Sequence, residues 1–243
     1  MFHSAHRVQH FARLAFLVLI TLVCTCPSPA STWSAGQVIT YSQDEWGASP
    51  SAASTLLLNQ FFTVYTTGLV EVGRPAPIGF FMQFDNPSDI ITFLPASGTA
   101  GSLNADLLNP STTSSGDFGG EVLALQLNVD FSDAGVLLGT SAIRFGDLVL
   151  TNVNGFPLLD GLTVRQVLGD ANTLLGGGTS VYSIGELDGV IDSLNLSFDG
   201  GAPSSFAQNN LLPPTPVPEP ASLFLLGTGA LGLSIRRRLL SRK

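Results

Sequence analysis

The chain has 243 residues, enough for one domain with a sizeable core, and it is acidic, with 18 Asp and Glu against 10 Lys and Arg. Between Ser31 and Glu219 all 18 acidic residues stand against three arginines, a formal net charge of −15. Those arginines are Arg74, Arg144 and Arg165. Every histidine and cysteine lies before Ala30. The sequence after Ala30 therefore excludes His-dependent triads, His or Cys metal sites and disulfides, and its charge predicts no nucleic-acid partner.

The first 30 residues are typical of a secretory signal peptide. Arg7 and Arg13 lie in a basic region before an apolar core, Leu14–Cys24, and Ser28 and Ala30 are small residues at the positions that precede a cleavage site. The sequence therefore predicts residues 1–30 as a signal peptide and the rest as an exported protein.

Residues 31–201 are predicted to form one exported domain that is rich in short strands. Charged residues are few while Gly, Ser, Thr, Asn and aliphatic residues are many, a composition typical of β-rich secreted proteins. The clearest strand is Glu121–Phe131, in which apolar and mostly polar residues alternate. Further strands are predicted at Gln37–Ser42, Gln60–Val72 (a hairpin around residues 66–68), Pro77–Phe84, Ile90–Leu94 and Leu148–Val153.

Two helices are predicted after the strands, near residues 163–176 and 183–199. Each begins with a capping box, Thr163 with Gln166 and Ser183 with Glu186. Apolar residues at helical spacing follow each box, and glycine runs end both helices. The predicted fold class is therefore α+β: a β-rich, sandwich-like exported domain with a C-terminal helical hairpin.

The C-terminal part is predicted to be a linker and a membrane helix. Residues 202–216 are rich in proline and lack apolar periodicity, which favours an extended linker. Ala221–Ile235 follows without a charged residue and would span about 22 Å as a helix, somewhat less than the hydrocarbon core of about 30 Å. The arginines after Ile235 provide a stop that the positive-inside bias places in the cytoplasm.

The order of these parts in residues 217–243 resembles the PEP-CTERM sorting signal of Gram-negative bacteria. The matching residues are Val217, Pro218, Glu219 and Pro220 as the sorting motif and Arg236, Arg237 and Arg238 as the membrane stop. The resemblance implies recognition and cleavage by an exosortase-like membrane transpeptidase. It also implies transient anchoring in the inner membrane, later transfer to the cell surface or medium, and exopolysaccharide as a further partner.

Carboxylates on the second predicted helix offer a candidate metal site. Asp188 and Asp192, with Glu186 nearby, could contribute to a Ca²⁺ site or could form a solvated acidic face. Asp170 and Asn172 match only the start of a calcium loop. No cofactor is assigned.

Other polar and aromatic residues carry weaker signals. Asp130 and Asp133 are expected to flank an ordinary turn that follows the predicted Glu121–Phe131 strand. Asn195 begins a glycosylation sequon that its place on an apolar helix stripe argues against. Aromatic residues of the N-terminal part could form a sugar-stacking platform or belong to core and strand pairs. These are Trp33, Tyr41, Trp46 and Tyr65.

Three functional hypotheses follow. The first is a non-enzymatic exported cell-surface or extracellular-matrix protein that is sorted through its tail. The second is a carbohydrate-binding module for exopolysaccharide, which requires exposed aromatic rings. The third is a carboxylate-based glycoside hydrolase, which requires two acidic residues facing each other across a cleft about 5–10 Å apart.

Overall fold

The computed structural model describes residues 33–74 and 79–214. The α-helices of these residues are α1 Gln43–Gly47, α2 Ala52–Val64, α3 Pro87–Phe93, α4 Gly116–Asp133, α5 Val164–Leu175, α6 Ile184–Asn195 and α7 Ser205–Asn210. Their strands are β1 Val70–Gly73, β2 Phe81–Phe84, β3 Leu107–Leu108, β4 Val149–Leu150 and β5 Leu211–Leu212. In one sheet β2 pairs antiparallel with β1 and parallel with β3, and in the other β4 pairs antiparallel with β5.

Helix α4 forms the centre of the domain. Fourteen of its 18 residues are buried, so no face of the helix is left to solvent along its whole length. It contacts α1, α5, α6 and β1. The hydrophobic core is therefore built around a helix, with the short strands at its edges.

The strand predicted at Glu121–Phe131 is wrong, because these residues lie within α4. An amphipathic surface helix shows a period of 3.6 residues, but a helix buried on all sides does not need one. The polar residues that suggested a solvated strand face are instead held inside: Asn128 is fully buried, and Gln126 and Asp130 are partly buried.

The domain is α+β, as predicted, but the β-rich, sandwich-like architecture is wrong for the described residues. Its strands are only two to four residues long. Residues predicted as a hairpin at Gln60–Val72 divide between the end of α2 and β1, and Ile90–Leu94 lies mostly in α3. Local capping explains these helices, since the side chains of Ser51 and Asn86 accept hydrogen bonds from backbone N–H groups of the first turn.

The remaining strand predictions are met only in part. Phe81–Phe84 and Val149–Leu150 are strands within longer predicted segments. In contrast, Gln37–Ser42 contributes a single isolated bridge, from Thr40 to Asp199. Residues 77–78 of the predicted Pro77–Phe84 strand lie outside the described residues.

The two helices predicted from capping boxes are confirmed as α5 and α6. The Thr163 side chain accepts a hydrogen bond from Gln166 N, and the Ser183 side chain accepts one from Glu186 N. In return, the Gln166 side chain accepts a hydrogen bond from Thr163 N, and the Glu186 side chain accepts one from Ser183 N. Both helices pack against α4 and contact each other.

The domain continues further along the chain than predicted. Residues 202–216 were expected to be a linker, but α7 and β5 lie within them. Ala207 and Leu211 are buried, and Trp33 Nε1 donates a hydrogen bond to Leu211 O at 2.9 Å. The folded domain therefore reaches at least Leu212, and residues 215–216 of the predicted linker lie outside the described residues.

Candidate functional site

A buried carboxyl group joins three helices at one side of the core. Glu121 lies in the second turn of α4 and is 5% exposed. Gln43 Nε2, from α1, donates to Glu121 Oε1 at 2.8 Å, and Asn195 Nδ2, from α6, donates to Glu121 Oε2 at 2.7 Å. A Cβ at Gly120 would overlap Gln43 Oε1, so glycine at this position allows α1 to approach α4.

The orientation of both amide groups is fixed by further hydrogen bonds. Gln43 Oε1 accepts from Ala96 N at 3.1 Å, so its Nε2 must face Glu121. Asn195 Oδ1 accepts from Asn128 Nδ2 at 3.0 Å, and Asn195 Nδ2 also donates to the backbone oxygen of Glu121. Each carboxyl oxygen of Glu121 thus meets a donor, which suits the ionised form.

The electrostatic surroundings oppose that ionised form. Burial raises the pKa of Glu121 from 4.5 to about 7, with the Asn195 hydrogen bond acting against this and the charges of Asp192 and Asp117 adding to it. Burial, followed by the charges of Asp117 and Asp192, raises the pKa of Asp188 to about 6. In the described part of the chain, the ion pairs are those of Arg165 with Asp133 and Asp147. None of them involves the carboxyl groups near Glu121, which are Asp117, Asp188 and Asp192.

The calcium hypothesis receives no geometric support. Asp188 and Asp192 are close enough to Asp117 for their charges to interact. Glu186, the third carboxylate proposed for this site, instead accepts hydrogen bonds from Ser183 at the start of α6. Within residues 33–74 and 79–214, no group of three or more acidic, His or Cys side chains is arranged to hold a metal ion.

The partial calcium-loop match has a structural explanation in the Asn172 side chain. Gly73 N donates to Asn172 Oδ1 at 2.7 Å, a bond that joins α5 to β1. Asn172 Nδ2 donates to Gln126 Oε1 in α4 at 3.4 Å. The side chain is thus occupied in holding elements together, so the match does not mark a loop that binds metal.

Glu121 does not fit the role of a glycosidase acid or base. Its two oxygens are occupied by Gln43 and Asn195, and the residue is sealed among α1, α4 and α6. A catalytic carboxyl must come within hydrogen-bond reach of the substrate, directly or through one water. The raised pKa therefore reflects a buried structural network rather than a site open to substrate.

Asp130 and Asp133 were predicted to flank a turn after a strand, but both belong to the last part of α4, and the turn follows the helix at residues 134–135. Asp130 accepts hydrogen bonds from the Tyr65 hydroxyl and from Gln126 Nε2, both at 2.9 Å. Asp133 forms a bidentate ion pair with Arg165, in which Nη1 donates to Oδ2 at 2.6 Å and Nη2 donates to Oδ1 at 2.9 Å.

Of the two alternatives for Trp33, Tyr41, Trp46 and Tyr65, the structure supports the core and not a sugar-stacking platform. Trp33 is 6% exposed and packs edge-on against Phe198, with ring centroids 5.2 Å apart. Trp46 is fully buried and contacts the rings of Tyr41 and Phe131. These rings belong to the core. Asn195 is likewise fully buried, which agrees with the argument against use of its sequon.

An open groove of about 530 Å³ lies between α6, α7 and the loop at residues 153–156. Phe156 and Phe206 provide apolar walls, and Asn154, Ser183, Glu186, Ser193 and Asn210 provide polar groups. Gly185 and Gly189 lie one turn apart on α6 and also line the groove, and a Cβ added to either would meet no atom within 4 Å. The sequence signal for this feature was the pair of glycines within an amphipathic helix, which residue-by-residue reasoning overlooked.

Gly189→Ala is expected to stabilise the protein by about 0.5–1 kcal/mol, because alanine restricts the unfolded chain and favours the helix. The space around Gly189 accepts the added methyl group without overlap. Urea unfolding followed by tryptophan fluorescence would measure the change. Gly169→Ala, in an equally open position on α5, is the matched control and should give a similar gain. A loss of stability at Gly189 alone would contradict the open geometry.

None of the helices within residues 33–74 and 79–214 is long and apolar enough to cross a membrane. The predicted membrane helix, the membrane stop at Arg236–Arg238 and the sorting residues Val217–Pro220 lie outside the described residues, as does the predicted signal peptide.

The described residues form an acidic α+β domain, and a proline-rich stretch of sequence begins at its end. After it, residues 216–238 match the family model of the PEP-CTERM protein-sorting motif, which confirms the resemblance of the tail. The motif implies export, transient membrane anchoring and processing by exosortase, a membrane enzyme. No curated protein and no solved structure matches the chain.

Proposed function

We propose that the protein is a non-enzymatic component of the cell surface or extracellular matrix of a Gram-negative bacterium, cleaved from its membrane anchor near Pro218-Glu219-Pro220. The observation that carries the proposal is the sorting motif at residues 216–238. In sequence it begins shortly after β5, the last described strand, so the expected cleavage site follows the folded domain closely along the chain.

The charge of the exported part supports a role outside the cell. From Ser31 to Glu219 it carries 18 acidic residues and three arginines. A high net negative charge keeps a protein soluble and attracts cations, including those that bridge acidic polymers in a matrix.

The proposal predicts two masses in two fractions of the producing cells. Intact-mass measurement should find a form ending near Glu219 at the surface or in the medium, and a form retaining Arg236–Arg238 in the membrane. Replacing residues 218–220 with alanine should abolish the short form and leave the protein in the membrane. Replacing Pro213 and Pro214 with alanine, outside the matched residues, is the control and should leave cleavage intact.

A wild-type protein found only in the membrane at full mass would overturn the proposal. Cleavage that continues when residues 218–220 are alanine would also overturn it, since the sorting motif would then not direct processing.

A further inference from the structure

The groove beside α6 is a cavity that no side chain of the described domain fills. Gly185 and Gly189 expose the backbone of α6 along its floor, and Ser193 continues this line one turn further. Glycine inside a helix costs about 1 kcal/mol relative to alanine. Packing within the described residues does not require either glycine, because added Cβ atoms would meet nothing. The shallow floor thus allows a flat ligand to approach the helix closely.

The volume and walls of the groove suit a small ligand with an apolar face. Its volume of about 530 Å³ lies within the usual range for ligand sites. Phe156 and Phe206 are both only partly buried, so each ring has surface left to contact a ligand. The C–H face of a sugar ring can pack on such aromatic surfaces.

The polar groups of the groove are mainly oriented acceptors. Asn210 Nδ2 donates to Thr151 O and Asn152 O, which leaves its Oδ1 as an acceptor. Ser193 Oγ donates to Gly189 O at 2.8 Å and keeps its lone pairs. Glu186 binds Ser183 through Oε2 alone, so Oε1 remains to accept. A ligand that complements these groups must supply several hydrogen-bond donors.

The charges of the side chains that line the groove favour an uncharged ligand over an anionic or a cationic one. No Lys, Arg or His lines the groove, and the Ser183 side chain already caps the start of α6, so a phosphate or carboxylate ligand would find no cation there. An amine would find one carboxylate, Glu186, which is fully exposed and therefore attracts it weakly. Hydroxyl groups on an uncharged ring match both the acceptors and the apolar walls.

We infer that this groove is a binding site for a neutral saccharide. The ligand packs its C–H faces on Phe156 and Phe206 and donates hydroxyl hydrogen bonds to Glu186, Ser193 and Asn210. The site is separate from the aromatic cluster of the core. It does not depend on how the tail is processed, so its failure would leave the proposed sorting function standing.

The test is a calorimetric titration of the full-length protein in a detergent without a sugar head group. The probes are neutral oligosaccharides of three to six glucose, mannose or galactose units, with oligogalacturonate and spermine as charged comparisons. At least one neutral probe should bind. Gly189→Leu, which fills the floor, and Phe206→Ala, which removes a wall, should each weaken binding about tenfold or more. Gly169→Leu, at an open helical position away from the groove, should leave the affinity unchanged.

Unfolding curves recorded on the same samples separate a lost site from a lost fold. Binding by none of the neutral probes would overturn the inference. Equal affinity in wild type and Gly189→Leu would overturn it as well, as would binding of only the acidic probe or spermine.

Discussion

Asn195→Ala is expected to lower the free energy of unfolding by about 3–4 kcal/mol, because it removes three buried hydrogen bonds at once. Asn195 is fully buried, its Nδ2 serves two oxygens of Glu121, and its Oδ1 accepts from Asn128. Without it, one carboxyl oxygen of Glu121 and one N–H of Asn128 lose their partners inside the core. A loss of this size is a large part of the 5–15 kcal/mol that stabilises an ordinary domain.

Urea unfolding followed by tryptophan fluorescence measures this effect, since Trp33 and Trp46 are both buried in the folded domain. Asn209→Ala is the matched control. Its Nδ2 donates only to Ser205 O on the exposed side of α7, so its loss should change stability by about 0.5 kcal/mol or less. Equal effects of the two variants would contradict the assigned network.

Local signals predicted the parts of the fold that local interactions build. Helices α5 and α6 begin directly after the N-cap residues Thr163 and Ser183, because each capping box satisfies backbone donors within four residues of sequence. The sorting tail was likewise found from a contiguous order of motif, apolar stretch and arginines, which the family match at residues 216–238 confirms.

Long-range burial explains why α4 was missed. Its partners are distant in sequence: Gln43 lies 78 residues from Glu121, and Asn195 lies 74 residues away. A sequence does not reveal that the Asn128 side chain will find hydrogen-bond partners in Tyr41 and Asn195 inside a core, so its polarity suggested solvent. The groove escaped notice for a related reason, because Phe156, Gly189 and Phe206 come together only in the folded chain.

The free energy of unfolding is expected to fall as the pH rises from about 4.5 to 7. The pKa of Glu121 is raised from 4.5 to about 7 in the folded protein, mainly by burial, so the folded state binds more protons than the unfolded state between these values. This contribution is fully present below pH 4.5 and is lost as the pH rises through 7. The separation of the two pKa values corresponds to about 3 kcal/mol. The raised pKa values of Asp130 and Asp188 act in the same direction.

Urea-unfolding midpoints between pH 4.5 and 7.5 test this expectation, and Glu121→Gln assigns its cause. The glutamine amide places an N–H₂ group against a donor of Gln43 or Asn195, both of which are held in orientation, so the variant should be less stable overall. That loss does not depend on pH, whereas the slope due to Glu121 should disappear. Glu186→Gln is the control, because hydrogen bonds from the Ser183 backbone and side chain lower the pKa of this exposed residue and place its titration below the window. A slope that persists in Glu121→Gln, or a wild-type stability that rises toward pH 7, would show that Glu121 is not the group that opposes folding at neutral pH.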